Sequence, residues 1–212
     1  MQSGSKRKIG AVLLAAGAGR RLGGIAKALI RIEGLSLAQR QLRALRDAGV
    51  DTVVLVTGFE HHAVEAEARG LAATVAYNAD YAQGLAGSVR VGLAALGPGF
   101  DGILMALVDQ PLIEACDLRA LMAAFEGRPG GHALVPQVEG ERGNPVMLDE
   151  LVRERVLASA TGSGVRDLLD REPSLVHAWQ TSNDRFLADL DAPEDLARLA
   201  MRTGWRIELP RR

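Results

Sequence analysis

Apolar residues along the chain fall into short unbroken runs separated by stretches with helical spacing. Residues 9–15 form one such run, closed by Gly17, and others recur at 52–56, 73–76 and 102–108. Strands covered on both faces require runs of this kind, because neither side of the pleat meets water. Between them, residues 35–48, 60–69 and 86–96 carry helical patterns, with Leu37, Leu42 and Leu45 spaced along one face. Strand and helix therefore alternate. This predicts a Rossmann-like, doubly wound α/β domain: a mostly parallel sheet with helices on both faces.

The alternation loosens in the second half. A helix is expected over 114–126, and Pro129, Gly130 and Gly131 then turn the chain into a strand at 132–136. Gly140, Gly143 and Pro145 punctuate a short extended segment. Helices follow near 149–158 and 164–171, and strands at 175–179 and 186–190. Pro193 opens a last helix, with Ala192 or Asp191 as its cap and Glu194 and Asp195 suited to the N-terminal dipole. The expected organisation is a flexible start (1–8), a single domain (9–203) and a C-terminal extension (204–212).

Composition narrows the function classes. With 212 residues, 48 % of them hydrophobic and 24 % charged, the chain suits one soluble globular domain. A formal charge of −1 and a pI near 6.4 supply no global field for nucleic acid or an anionic membrane, so any anion site is local. Cys116 is the only cysteine and cannot form an internal disulfide, and no apolar run approaches the roughly 18 residues of a membrane span. Both features suggest a cytoplasmic protein. Lys6, Arg7 and Lys8 precede an apolar stretch that runs into a glycine loop rather than a cleavage site.

The first run leads into Ala15-Ala16-Gly17-Ala18-Gly19-Arg20-Arg21-Leu22-Gly23-Gly24-Ile25-Ala26-Lys27. Backbone without bulky side chains can approach a phosphate closely, and Arg21 and Lys27 would neutralise charge as pyrophosphate leaves. Ala15, Ala16, Gly17, Gly19, Arg20 and Gly23 are the candidate triphosphate-binding positions. Two other glycine loops fit poorly. The Walker pattern needs Gly-Lys followed by Ser or Thr, whereas Lys27 lies between Ala26 and Ala28. The dinucleotide fingerprint has Leu22 where its third glycine belongs. A solvated surface loop is the plainer alternative, although the ligand end of such a sheet seldom carries one.

Residues 104–108 end on Asp109-Gln110-Pro111, which puts a carboxylate at the sheet edge where ligands bind. Mg2+ takes one or two carboxylates together with phosphate oxygens and water, so a second acid is expected. Asp189 and Asp191 would face the same side of a strand, with Asp191 nearer the helix start, where it could equally serve as a plain cap. Ser88 follows Gly84 and Gly87 near another helix start that could hold a base or phosphate, or simply be capped. Cys116 and the four histidines lack metal-ligand spacing, and on a helix His61 and His62 would point apart, so no zinc site is expected.

In this arrangement the sequence resembles the MobA-like nucleotidyltransferases, whose first motif runs approximately L-A-A-G-x-S-x-R-M-G-x-x-K. Leu14 to Gly17, Arg21, Leu22 and Gly23 fall in place; Gly19 replaces the usual Ser, and one extra residue precedes Lys27. Gly84 and Ser88 match a G-L-S-x-S-L-x-x-G-L element. Asp109 matches a D-x-P motif, and 189–196 a D-x-D-T-P-E-D-like motif. The resemblance thereby implies a metal held by Asp109 and Asp191, with Arg21, Lys27 and Asp109 catalytic. Segments 140–146 and 161–166 are similar to R-G-H-P and G-D-x-G-A-R of molybdenum cofactor cytidylyltransferases, with Asn144 and Ser163 departing from them. Arg142 and Arg166 could fork onto an acceptor phosphate, or equally pair on the surface.

What this resemblance implies is transfer of CMP from CTP to a molybdopterin, with Mg2+ as cofactor and Mn2+ as an alternative ion. The Ala15-Ala16-Gly17 form suits the cytidylyl branch better than the guanylyl branch, which carries two glycines there. A recipient molybdoenzyme or its chaperone would be the downstream partner. Two rivals stay open: transfer to another phosphate acceptor, such as a sugar phosphate or cofactor precursor, and a nucleotide- or cofactor-binding module without chemistry.

Overall fold

The computed structural model describes residues 7–159 and 162–210. Its strands are β1 (Ile9–Leu14), β2 (Arg31–Ile32), β3 (Leu35–Ser36), β4 (Thr52–Thr57), β5 (Ala73–Tyr77), β6 (Gly102–Leu107), β7 (Ala133–Val138), β8 (Glu141–Arg142), β9 (Val146–Leu148), β10 (Val176–Gln180) and β11 (Ile207–Glu208). The helices are α1 (Leu37–Ala48), α2 (His61–Glu67), α3 (Leu85–Leu96), α4 (Ala115–Glu126), α5 (Glu150–Ala158), α6 (Val165–Arg171) and α7 (Pro193–Thr203). The main sheet runs β10-β7-β9-β6-β1-β4-β5, with β8 paired to β7 off that path. β1 lies parallel to both β4 and β6. The chain thus turns to opposite sides of β1, which opens a crevice at its carboxyl end.

Alternate residues of β1 feed two cores. Ala11 and Leu13 point to one face, where Leu42 of α1, Val64 of α2, Leu118 of α4 and Leu199 of α7 pack. Val12 and Leu14 point to the other, against Leu93 of α3, Val152 of α5 and Leu168 of α6. Gly92 lets α3 lie close on the sheet: a Cβ built there would come within 2.3 Å of Val12 Cγ1 and 2.8 Å of Val56 Cγ2. Helix α1 begins at a reciprocal cap, in which Ser36 Oγ accepts from the Gln39 amide at 3.1 Å and Gln39 Oε1 accepts from the Ser36 amide.

The doubly wound, mostly parallel sheet expected from the sequence is present, with local differences. The short extended segment expected around 140–145 is present as β8, entered through a turn at residues 139–140. It then leads to β9, which inserts antiparallel between β6 and β7. The strand expected at 186–190 does not form. Asn183 Oδ1 accepts from the Arg185 amide at 3.2 Å and starts a 3-10 turn over Asp184–Leu187 that buries Phe186. At the C-terminal end, β11 pairs with β2, so residues 207 and 208 join a small second sheet; residues 211 and 212 lie outside the described ones. The expected flexible start lies outside them through residue 6, and so does Thr161 of the second acceptor-like element.

Candidate functional site

The loop after β1 is pinned rather than free. Leu22, Ile25 and Ala26 are buried in the first core, and the 3-10 turn Arg20–Leu22 closes through Leu22 and Gly24 amides donated to the Gly19 carbonyl. Gly19 sits at φ 52°, and a Cβ there would meet the Ile25 carbonyl oxygen at 2.2 Å, so glycine is required. The Gly23 amide is spent on the Arg20 carbonyl and the Ala15 amide on Val56, so these two shape the loop from within. Ala16, Gly17 and Arg20 instead line a cavity of about 350 Å3 at the carboxyl end of β1 and β6.

Gly84 and Ser88 line the same cavity from α3. The Ser88 hydroxyl, 2 % exposed, accepts from Asn78 Nδ2 at 2.9 Å, while Asn78 Oδ1 takes the Asp80 amide. Asn78 therefore braces Ser88 and is a site residue that sequence spacing does not single out. Tyr81, on the 3-10 turn Tyr81–Gln83, forms another wall.

At the floor, Asp109 follows β6 and meets Lys27, whose ammonium lies 2.7 Å from Asp109 Oδ2 and 2.5 Å from Asp191 Oδ1. Arg21 reaches the other oxygen of Asp191 at 2.7 Å. Asp191 arrives because the Leu190 amide donates to the Asp109 carbonyl at 2.9 Å, stitching the late segment to the end of β6. It is not the cap of α7. Ala192 takes that position, and Asp195 Oδ2 accepts from both the Asp191 and Ala192 amides. Four residues from three widely separated segments thus meet at one point.

The site's charges act on one another. Burial works against the Lys27 charge, but Asp109 and Asp191 outweigh it and hold its pKa above the ordinary value. Burial likewise opposes ionisation of Asp191, and Lys27 and Arg21 override it, holding that carboxyl below the usual range. Asp189 moves the other way: desolvation, then the nearby Asp191 and Asp109 charges, raise it. Asp189 therefore belongs to the same acidic pocket.

Asp109 Oδ1 is buried with no hydrogen-bond partner among the described residues, so this carboxylate keeps an unused acceptor. An all-carboxylate donor set with one oxygen unsatisfied suits a hard divalent ion such as Mg2+ or Mn2+. Arg142 does not reach this point; it pairs with Asp170 on the surface. Histidines behave unexpectedly too. The rings of His61 and His62 do not point apart but stack with centroids 3.7 Å apart.

Comparison with known proteins identifies the family. Residues 11–177 match the MobA-like NTP transferase domain. The chain belongs to that family. It is 33 % identical over 195 residues to a Paenarthrobacter nicotinovorans protein named nicotine blue oxidoreductase, covering 89 % of this chain and 94 % of that one. It is 37 % identical over 139 residues to an Opitutus terrae protein named "Probable molybdenum cofactor guanylyltransferase", covering 63 % and 64 % of the two chains. The crystal structure of Rv0371c from Mycobacterium tuberculosis H37Rv superposes with a TM-score of 0.78 at 25 % identity, covering 93 % of this chain and all of that one. No helix among the described residues of this MobA-like chain is long and apolar enough to cross a membrane.

Proposed function

We propose that this MobA-like nucleotidyltransferase moves CMP from CTP to the terminal phosphate of a molybdopterin, releasing pyrophosphate. The observation that carries the reading is the meeting of Arg21, Lys27, Asp109 and Asp191 beside a cavity walled by the glycine loop. An acceptor phosphate oxygen would attack the α-phosphorus in line. The bond to the β-phosphate oxygen breaks, and its electron pair leaves with pyrophosphate. The attacking oxygen is already anionic, so the protein's task is positioning and charge neutralisation rather than proton removal.

In this reading Ala16, Gly17, Gly19 and Arg20 approach the triphosphate, with Ala15 and Gly23 shaping the loop, and Gly84 and Ser88 border the nucleoside. Arg21 and Lys27 neutralise the developing pyrophosphate charge. Mg2+ or Mn2+, held by Asp109 and Asp191, would add Lewis-acid neutralisation of phosphate oxygens. Another crystal structure of Rv0371c is a manganese complex, with a TM-score of 0.72 at 24 % identity, covering 91 % of this chain and 97 % of that one. The Ala15-Ala16-Gly17 form, which resembles the cytidylyl branch rather than the two-glycine guanylyl one, supports CTP as the donor.

A second reading follows from the relative named as an oxidoreductase. It predicts redox turnover of nicotine blue without pyrophosphate release. The buried Leu22 at the dinucleotide fingerprint's third glycine weighs against a nicotinamide dinucleotide in this loop. Pyrophosphate release from CTP, GTP, ATP and UTP, with Mg2+ and with or without molybdenum-loaded molybdopterin, separates the possibilities. Release that requires CTP and that acceptor supports the proposal. Release with GTP moves the specificity to the guanylyl branch, release with other phosphate acceptors moves the acceptor, and silence throughout despite nucleotide binding overturns catalysis of this type.

A further inference from the structure

Outside the nucleotide site, two clusters of metal-ligating side chains occur among the described residues. Glu114, Cys116 and Asp117 form one, but Arg185 already neutralises it, at 2.9 Å from Glu114 and 3.2 Å from Asp117. The other is His61, His62 and Glu65 at the start of α2, where one potential ligand atom from each side chain lies within 4.8 Å of the others. Glu65 stands four residues after His61 and three after His62, the two spacings that bring helical side chains onto a common face. His61 is further held by Tyr77, whose ring lies over it at 4.3 Å with a 31° tilt, while His62 and Glu65 are exposed.

We infer that His61, His62 and Glu65 form a second cation site, separate from the aspartate pocket, that takes a borderline divalent ion of the zinc type. Two imidazoles and one carboxylate are the donors such ions favour, whereas Mg2+ prefers an all-oxygen shell. Zinc holds its ligands at about 2.0–2.1 Å, which puts tetrahedral donor atoms roughly 3.3 Å apart. The present 4.8 Å envelope contracts to that by small rotations of His62 and Glu65, whose ends are free to move in solvent. Tyr77 supplies the fixed element by orienting His61. Three protein ligands leave the remaining position to water. The site also adjoins the cavity wall: two residues before His61, the Phe59 amide donates to the Ala16 carbonyl at 3.1 Å.

Calorimetric titration with Zn2+ of the full chain carrying Asp109→Asn and Asp191→Asn tests this without the aspartate pocket. One saturable equivalent is expected. In that background His61→Ala and His62→Ala should each weaken binding by at least about 100-fold, beyond the 10–100-fold typical of an outer-shell partner, while His177→Ala leaves it unchanged. Should the double aspartate variant fail to fold, NMR of the unmodified chain in excess Mg2+ gives the same answer: Zn2+ shifts the His61 and His62 ring signals. Binding that survives both histidine substitutions, or ring signals unmoved by Zn2+, overturns the proposal and leaves a plain surface stack on Tyr77.

Discussion

Replacing Lys27 with Met keeps the length of the stem and removes the charge that separates Asp109 from Asp191. In the unliganded chain two carboxylates then face each other, with Asp189 close by. Lys27 is 15 % exposed, Asp109 19 % and Asp191 30 %, so the pair lies between the buried and surface extremes. Breaking a buried pair from one side costs about 3–5 kcal/mol and an exposed pair about 0–1, which puts the expected loss near 2 kcal/mol. For a chain of this size that lowers Tm by about 4–8 °C. Because the Lys27 pKa lies above its ordinary 10.5, the lost contribution is one that is complete at neutral pH and fades only as pH rises through the folded value.

A divalent ion reverses the deficit, because like Lys27 it neutralises the Asp109 and Asp191 carboxylates. At 100 times its Kd it stabilises by about 2.7 kcal/mol. Thermal melts in EDTA and in Mn2+, with Mn2+ affinity by electron paramagnetic resonance, form the assay. The variant should melt lower in EDTA, recover in Mn2+, bind Mn2+ at least about 10-fold tighter, a 1.4 kcal/mol gain, and lose about 100- to 1,000-fold in kcat. Equal melting in EDTA together with unchanged Mn2+ affinity would refute the idea that lysine and metal share these carboxylates.

Three further substitutions have defined outcomes. Asp109→Asn should abolish metal-dependent pyrophosphate release while far-UV circular dichroism stays native, since the backbone contacts to Leu190 remain; an active variant would remove Asp109 from the chemistry. Gly92→Ala should destabilise by about 1–3 kcal/mol in urea unfolding, because overlap with Val12 and Val56 exceeds the roughly 1 kcal/mol helix benefit; a more stable protein would mean α3 shifts freely. Asp195→Ala should cost about 1 kcal/mol. Burial raises the Asp195 carboxyl, but the Ala192 and Asp191 amides and Arg198 outweigh it and depress its pKa. Its contribution is therefore present above the ordinary carboxylate range and lost as pH falls through the folded value, so the variant's melting temperature should depend less on acid. Identical acid profiles for the two proteins would contradict this.

β1, β4 and β6 were legible because helices cover them on both faces, leaving uninterrupted apolar runs. β9 was not, because three residues directly after Gly143 and Pro145 carry too little pattern to separate a strand from a turn. The order of the motifs pointed to Lys27, Asp109 and Asp191, but not to how Asp191 reaches the lysine. That depends on one long-range amide from Leu190, which no local spacing encodes. The Asp189–Asp191 pair looked like strand because of its alternation, whereas Asn183 diverts the preceding residues into a 3-10 turn. Asn78 escaped notice because its role is to hold Ser88, a tertiary relation. His61 and His62 defied helical spacing at the helix's first turn, where Glu60 is left-handed and Tyr77 fixes one ring.

The wide separation of the charged cluster also has a meaning in time. Asp109 follows Lys27 by 82 positions and Asp191 follows it by 164. At about 5–20 residues per second, a ribosome releases the second carboxylate roughly 4–16 s after the first. A chain halted before that point would carry the glycine loop, its cations and a single acid, but not Asp191. The pocket therefore reaches its final charge balance only once Asp191 has been made, when most of the sheet around it already exists.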